Sequence, residues 1–245
     1  GSFAVVGNLA VTQEQRSEEE AVIAYHLRGG DVLWSTSYPA RYESTIAGIG
    51  PRSTPAIANG RVFVTGATGM LVALDAATGE ELWSHDLVVE HSAPLPEWGK
   101  SGSPLVVGDL VIVSAGGSEA SLVAYEAATG LMRWAAGSDS SSYSSPTLLR
   151  LAGREQVVIL NNGSVASHDP ADGELLWEVP WPSQQPSVAQ PLPVADDAVI
   201  VSAGYGVGAK RYDIGPAGAE MVWESIRLKA KFAHAILHEG TVYGL

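Results

Sequence analysis

The strongest constraint on this chain is a tryptophan hairpin that keeps returning. In Leu71 to Trp83, LVALDAATGEELW, Leu71, Ala73 and Asp75 alternate with Val72 and Leu74 at the two-residue period of an extended strand. Thr78-Gly79 supplies a position that tolerates positive φ. Asp75 is placed to accept hydrogen bonds from the turn amides, and Glu80 to Trp83 returns as the partner strand. The frame recurs at Leu122 to Trp134 and at Val165 to Trp177. It is weaker at Val22 to Trp34, where His26 replaces the acid, and at Lys210 to Trp223, where the turn is two residues longer. Trp34, Trp83, Trp134, Trp177 and Trp223 thus stand 43 to 51 residues apart. A strand-rich unit of roughly 40 to 50 residues is the length of one four-stranded propeller blade. No stretch sustains the 3.6-residue apolar period that helical repeats require.

A second pair of strands precedes each hairpin. Thr54 to Ala58 turns through Asn59-Gly60 into Arg61 to Thr65, and Ser103 to Val107 turns through Gly108-Asp109 into Leu110 to Ser114. Ser145 to Leu151 turns through Gly153-Arg154 into Gln156 to Leu160, and Gln190 to Val194 through Asp196-Asp197 into Ala198 to Ser202. The second strand of each unit is nearly continuous in Val, Ile and Leu, the pattern of a strand buried on both faces between neighbouring sheets. The expected fold is therefore all-β, a β-propeller of four-stranded antiparallel blades. About five blades are expected, at 2–38, 52–88, 101–137, 144–181 and 188–226, with the start of a further blade at 232–245. Because an open ring leaves sheet edges bare, residues 1–245 read as a single propeller domain that is part of a longer ring.

Composition narrows the partners. With 14 Lys and Arg against 27 Asp and Glu, the net charge of −13 opposes binding to nucleic acid or to anionic lipid. The absence of cysteine removes any disulfide framework, and no apolar run reaches the roughly 18 residues of a membrane span.

The pattern A-x-D-x-x-T-G-x-x-x-W is met in full by Ala73, Asp75, Thr78, Gly79 and Trp83. It resembles the repeat of the PQQ-like (quinoprotein-type) β-propeller family, which includes quinoprotein alcohol dehydrogenases and BamB-like proteins, and the resemblance covers essentially the whole chain. It implies a roughly eight-bladed ring, with Trp34, Trp83, Trp134, Trp177 and Trp223 each docking on the adjacent blade. It also implies a periplasmic or otherwise extracytoplasmic place in the bacterial envelope, with any signal segment outside this chain.

In a propeller the loops entering the innermost strands, and those joining strands two and three, gather on one face around the channel, which is the default binding site. The candidate residues there are Gln15, Arg16, Arg52, Ser53, Trp98, Lys100, Ser101, Tyr143, Ser144, Gln190, Lys231 and His234. Arg52, Lys100 and Lys231 are expected to receive an anionic or peptide ligand, and Trp98 and Tyr143 to offer it flat surfaces. The competing reading is that these side chains satisfy loop carbonyls and close the top of the ring.

A quinoprotein dehydrogenase needs Ca²⁺ on hard oxygen ligands and a carboxylate base near the substrate. The family's enzymes also commonly carry an adjacent cysteine pair, absent here. Asp139, Glu14, Asn161 and Asn162 lie in loops of the right face, but no spacing singles them out. His85 and His91 lack a third ligand and read as surface residues. Gly204 to Gly208 opens no helix and reads as a wide turn.

No catalytic residue and no metal ligand is therefore assigned, and no cofactor is expected. The expected function is a non-enzymatic, BamB-like binding or scaffold propeller that recognises a protein or peptide, possible members of the envelope assembly machinery included, through top-face loops or blade edges. The alternatives are a PQQ-dependent alcohol or sugar dehydrogenase, which would take PQQ and Ca²⁺, and a polysaccharide-binding propeller with Trp98 and Tyr143 as stacking platforms.

Overall fold

The computed structural model describes residues 1–182 and 186–244. Residues 183–185, in the loop between the fourth and fifth expected blades, and Leu245, at the end of the expected sixth, lie outside the described residues.

Five four-stranded antiparallel sheets follow one another, each with its strands in chain order. Blade one is Ala4–Val6, Leu9–Arg16, Glu19–His26 and Val32–Pro39. Blade two is Ala56–Ala58, Arg61–Thr65, Met70–Asp75 and Glu81–Asp86. Blade three is Leu105–Val107, Leu110–Gly117, Ala120–Glu126 and Met132–Ala136. Blade four is Thr147–Leu151, Arg154–Leu160, Ser164–His168 and Leu175–Pro180. Blade five is Leu192–Ala195, Ala198–Ala203, Gly208–Gly215 and Gly218–Ser225. Ile236–His238 and Thr241–Tyr243 pair as a further two-stranded sheet. Two elements had no counterpart in the repeat pattern: a ribbon of Glu43–Ser44 and Gly48–Ile49 between blades one and two, and the one-turn helix Leu87–Glu90 after blade two.

The first strands of successive blades touch one another, so they ring the axis while the tryptophan strands lie outermost. Asn59 and Gly60 carry the two positive φ angles, 51° and 73°, that a tight hairpin needs. In blade four those angles fall on Ala152 and Gly153, one residue earlier than the Gly153-Arg154 reading, because Arg154 already pairs with Leu151 in the ladder.

The outer hairpins show how blades are joined. Trp34 donates its indole N–H to the Ala76 carbonyl of blade two at 3.0 Å, Trp83 to Ala127 of blade three at 3.2 Å, and Trp134 to Pro170 of blade four at 3.1 Å. In each case the acceptor lies three residues before the hairpin glycine, and the ring lies against that glycine. A β-carbon at Gly79, Gly130 or Gly173 would meet Trp34, Trp83 or Trp134 at 2.5, 2.8 and 2.7 Å. An extra residue in the outer strand just before the tryptophan breaks the ladder register in all five blades. Such a bulge re-aims the side chain that follows it, here across to the neighbouring sheet.

Two tryptophans depart from this rule. Trp177 is buried between blades four and five, but its N–H turns back to Gln156 of its own blade at 2.8 Å. The cause is the longer blade-five hairpin: Gly215 pairs with Gly218 beyond Asp213, and the Gly218 β-position is no closer than 3.6 Å to Trp177. Trp223 is 37% exposed, and no hairpin lies against it among the described residues.

Four apolar clusters form the core, one per interface between consecutive blades. Alternate residues of one strand serve opposite interfaces. Phe63 joins the blade two–three cluster while Val62 and Val64 join the blade one–two cluster. That is why these strands read as apolar on both faces. Glu20, 1% exposed, adds a polar clasp, accepting from the Ala67 amide and the Tyr38 hydroxyl, each at 2.9 Å. Burial raises its carboxyl above the usual range against the pull of those two hydrogen bonds.

Candidate functional site

The residue two places before each innermost strand occupies an equivalent position: Ser2, Thr54, Ser103, Ser145, Gln190 and His234. Four of these positions are followed by proline, which lacks the N–H that an axis-facing edge strand would leave bare. The side chains form a ladder around the axis. Ser2 N–H donates to Thr54 Oγ1 at 3.1 Å, Thr54 N–H to Ser103 Oγ at 2.9 Å, and Ser103 N–H to Ser145 Oγ at 2.9 Å. Gln190 N–H donates to His234 Nδ1 at 3.0 Å.

Above this ladder opens a cavity of about 570 Å³, lined by Ile46, Ala47, Arg52, Thr54, Trp98, Ser101, Ser103, Tyr143, Ser145, Val188, Tyr205, Lys231, Phe232 and His234. Its aromatic wall crosses the ring. Tyr143 stacks on Trp98 with centroids 5.1 Å apart, Trp98 lies 6.1 Å from Phe232, and Phe232 lies 6.4 Å from Tyr205. Lys231 Nζ sits over Tyr205 at 4.4 Å and over Phe232 at 5.2 Å, a cation–π arrangement that holds the ammonium without neutralising it. Arg52 is more engaged. It donates to the carbonyls of Ala47, Gly48 and Gly50 and lies 5.7 Å over Tyr42, so it also fixes the ribbon loop.

The expected residues separate into three groups. Arg52, Trp98, Ser101, Tyr143, Lys231 and His234 line the axial cavity together. Ser53, Lys100 and Ser144 turn inward instead. Ser53 donates to the Thr65 carbonyl at 2.6 Å and Ser144 to the Ala189 carbonyl at 3.1 Å. Lys100, 3% exposed, is held by the carbonyls of Ser114 and Ala115 and by Ser141 Oγ, which corrects its expected role as a ligand-facing cation. Burial pushes its ammonium down to about 8. Gln15 lines a separate cavity beside Glu14 and Arg41. Arg16 pairs with Glu14 at 3.4 Å, and Gln190 reaches the axis through its backbone.

Phe232, Ile46 and Val188 are cavity residues that the loop pattern missed, because nothing in the spacing separates an apolar loop residue that faces the axis from one that faces solvent.

No Asp or Glu lines the cavity, in a chain where acids outnumber bases about two to one. Asp139 is engaged with the Gly163 amide and the Ser164 hydroxyl, and Glu14 accepts from the Tyr25 hydroxyl. Among the described residues no three His, Cys, Asp or Glu side chains converge as cation ligands. His85 pairs with Glu90 and contacts the Gly130 carbonyl, and His91 meets the Tyr125 hydroxyl; both join the helix Leu87–Glu90 to blade three. Among the described residues no helix is long and apolar enough to cross a membrane.

The family described as outer membrane protein assembly factor BamB matches residues 18–244. The BamB of Moranella endobia is 27% identical over 180 residues, 69% of this chain and 43% of that protein. The quinohemoprotein alcohol dehydrogenase ADH IIB of Pseudomonas putida is 31% identical over 125 residues, 46% of this chain and 17% of that enzyme. The chain thus spans less than half the length of either curated relative. Among solved structures, BamB from Moraxella catarrhalis superposes with a TM-score of 0.66 at 17% identity, over 96% of this chain and 66% of that one, a likeness of fold.

Proposed function

Because this chain belongs to the family of the outer membrane protein assembly factor BamB, we propose that it is an extracytoplasmic propeller of the bacterial envelope that binds or scaffolds a protein partner and makes or breaks no bond. The observation that carries this reading is the axial cavity: two cations, four aromatic rings and a ladder of hydroxyls, with no carboxylate in its lining. Such a lining offers donors and flat surfaces to a partner. It offers no carboxylate base to deprotonate a substrate, and its one imidazole, His234, already spends Nδ1 on the Gln190 amide. The blades supply a rigid frame, since each interface among the five four-stranded blades carries an apolar cluster. Recognition then needs little reordering of the loops.

A second reading is a PQQ-dependent dehydrogenase, favoured by the similarity to ADH IIB. The cations and rings of the cavity suit a planar, carboxylate-bearing quinone, but its lining does not fit the calcium that accompanies it. A Ca²⁺ beside the quinone requires hard oxygen ligands, and the cavity supplies neutral hydroxyls and cations where carboxylates are needed. Against a polysaccharide reading, Trp98 and Tyr143 stack on each other, which takes one face of each ring out of use.

Calorimetric titration with PQQ in the presence of Ca²⁺ tests the choice. No saturable heat and no shift in melting temperature are expected. Saturable binding at one site would overturn the binding-propeller reading.

A further inference from the structure

Resting on the binding reading, the geometry of the axial cavity points to its ligand: we infer that it takes an acidic peptide segment in which an aromatic side chain stands beside a carboxylate.

The argument starts from hydrogen-bond capacity. Thr54, Ser103 and Ser145 each accept an amide N–H from the ladder, which leaves each hydroxyl its own proton to donate, and none finds an acceptor among the described residues. His234 uses Nδ1 to accept from Gln190. In the neutral imidazole the proton then sits on Nε2, again a donor. Lys231 adds an ammonium that makes no ion pair among the described residues. The wall is thus a set of unanswered donors, three of them at equivalent positions of successive blades. A peptide backbone presents acceptor carbonyls at regular intervals, and a carboxylate presents the strongest acceptor available to Lys231.

Charge and shape select further. An acidic ligand meets repulsion over most of a protein with net charge −13, yet finds two cations and no carboxylate in this one cavity. The field therefore directs such a segment to the axis and away from the blade edges. Phe232, 61% exposed, leaves a ring face beside the ammonium, so an aromatic side chain packs there while its neighbouring carboxylate reaches Lys231.

The test is fluorescence anisotropy with a labelled, end-blocked peptide, acetyl-Gly-Trp-Asp-Gly-amide, and its Asp-to-Asn and Trp-to-Ala analogues. Saturable binding is expected, weakened about tenfold in each analogue. Lys231→Met keeps the aliphatic stem and should weaken the Asp peptide by about the same factor while leaving the Asn peptide unchanged, the signature of a coupled pair. Phe232→Ala is the second variant and should affect the Trp peptide more than the Ala analogue. Raising salt from about 50 to 300 mM should weaken the Asp peptide alone.

Equal affinity for the Asp and Asn peptides, or an unchanged affinity in Lys231→Met, would overturn the inference. Indole-3-acetate binding as tightly as the peptide would assign the cavity to a small acid and overturn it too. If an envelope protein is retained by the chain and the peptide fails to displace it, the acidic-peptide inference falls while the binding-propeller reading stands.

Discussion

Trp134 and Lys231 show what separates the outer rim of this propeller from its axis. At the rim, Trp134 lies against Gly173, 7% exposed, with its single donor on the Pro170 carbonyl. At the axis, Lys231 lies on Tyr205 and Phe232, exposed, with no carboxylate beside it. The rim repeats one indole-to-carbonyl bond across three successive blade pairs. The axis repeats only its ladder and leaves donors open above it. Residues that build the ring and residues available to a ligand are therefore different sets, although both come from the same repeating unit.

The largest expected effect breaks the rim. Trp134→Ala removes a buried ring and its hydrogen bond and should cost about 3–5 kcal/mol in urea unfolding, whereas Trp223→Ala, at a partly exposed ring, should cost about 1 kcal/mol or less. Equal losses would contradict the docking account. Next comes the glycine beneath the ring. Gly130 has φ of 76° and its β-position lies 2.8 Å from Trp83, so Gly130→Ala meets both strain and a clash. Gly108, with φ of 60°, faces open space. The first substitution should cost roughly 2–3 kcal/mol and the second roughly 1 kcal/mol by thermal unfolding, the strain alone.

A smaller effect sharpens the comparison through pH. His168, fully buried, donates from Nδ1 to the carbonyl of Gly173, the glycine that carries Trp134, and burial holds its imidazole below the usual histidine range. The unfolded chain then binds the proton first, so this group takes stability away as pH falls below about 6.5 toward its lowered folded value. His168→Gln should accordingly gain on the wild type between pH 7.5 and 5.5. Comparing the two proteins cancels the opposite contribution of Glu20, whose carboxyl is raised. A gap that stays constant with pH would remove His168 from the account. Smallest of all, Lys231→Met should leave the unfolding free energy within about 0.5 kcal/mol, since Lys231 is exposed and belongs to none of the four core clusters.

The rim was legible in the sequence and the axis only in part, for a physical reason. Trp34, Trp83 and Trp134 recur with their glycines because docking fixes both partners at one spacing, and the apolar second strands follow from burial on two faces. The bulge before each tryptophan left no mark in composition. The longer turn of blade five was visible, but its consequence for Trp177 was not. At the axis, loop position found Arg52, Trp98, Ser101, Tyr143, Lys231 and His234. It also drew in Lys100, Ser53 and Ser144, because the direction of a loop side chain depends on which carbonyls lie within reach. Thr54, Ser103 and Ser145 stand in the sequence as Thr-Pro and Ser-Pro pairs, yet their role as a ladder exists only once the blades stand side by side.

The central claim is that binding happens at the axis and not on the blade edges. Amide hydrogen exchange on the full chain, with and without saturating acetyl-Gly-Trp-Asp-Gly-amide, addresses it directly. New protection confined to the loops at 52–54, 98–103, 143–145 and 231–234, with the outer strands Val32–Pro39 and Gly218–Ser225 unchanged, is the predicted result. Protection along either outer strand, or none in the axial loops, would contradict it.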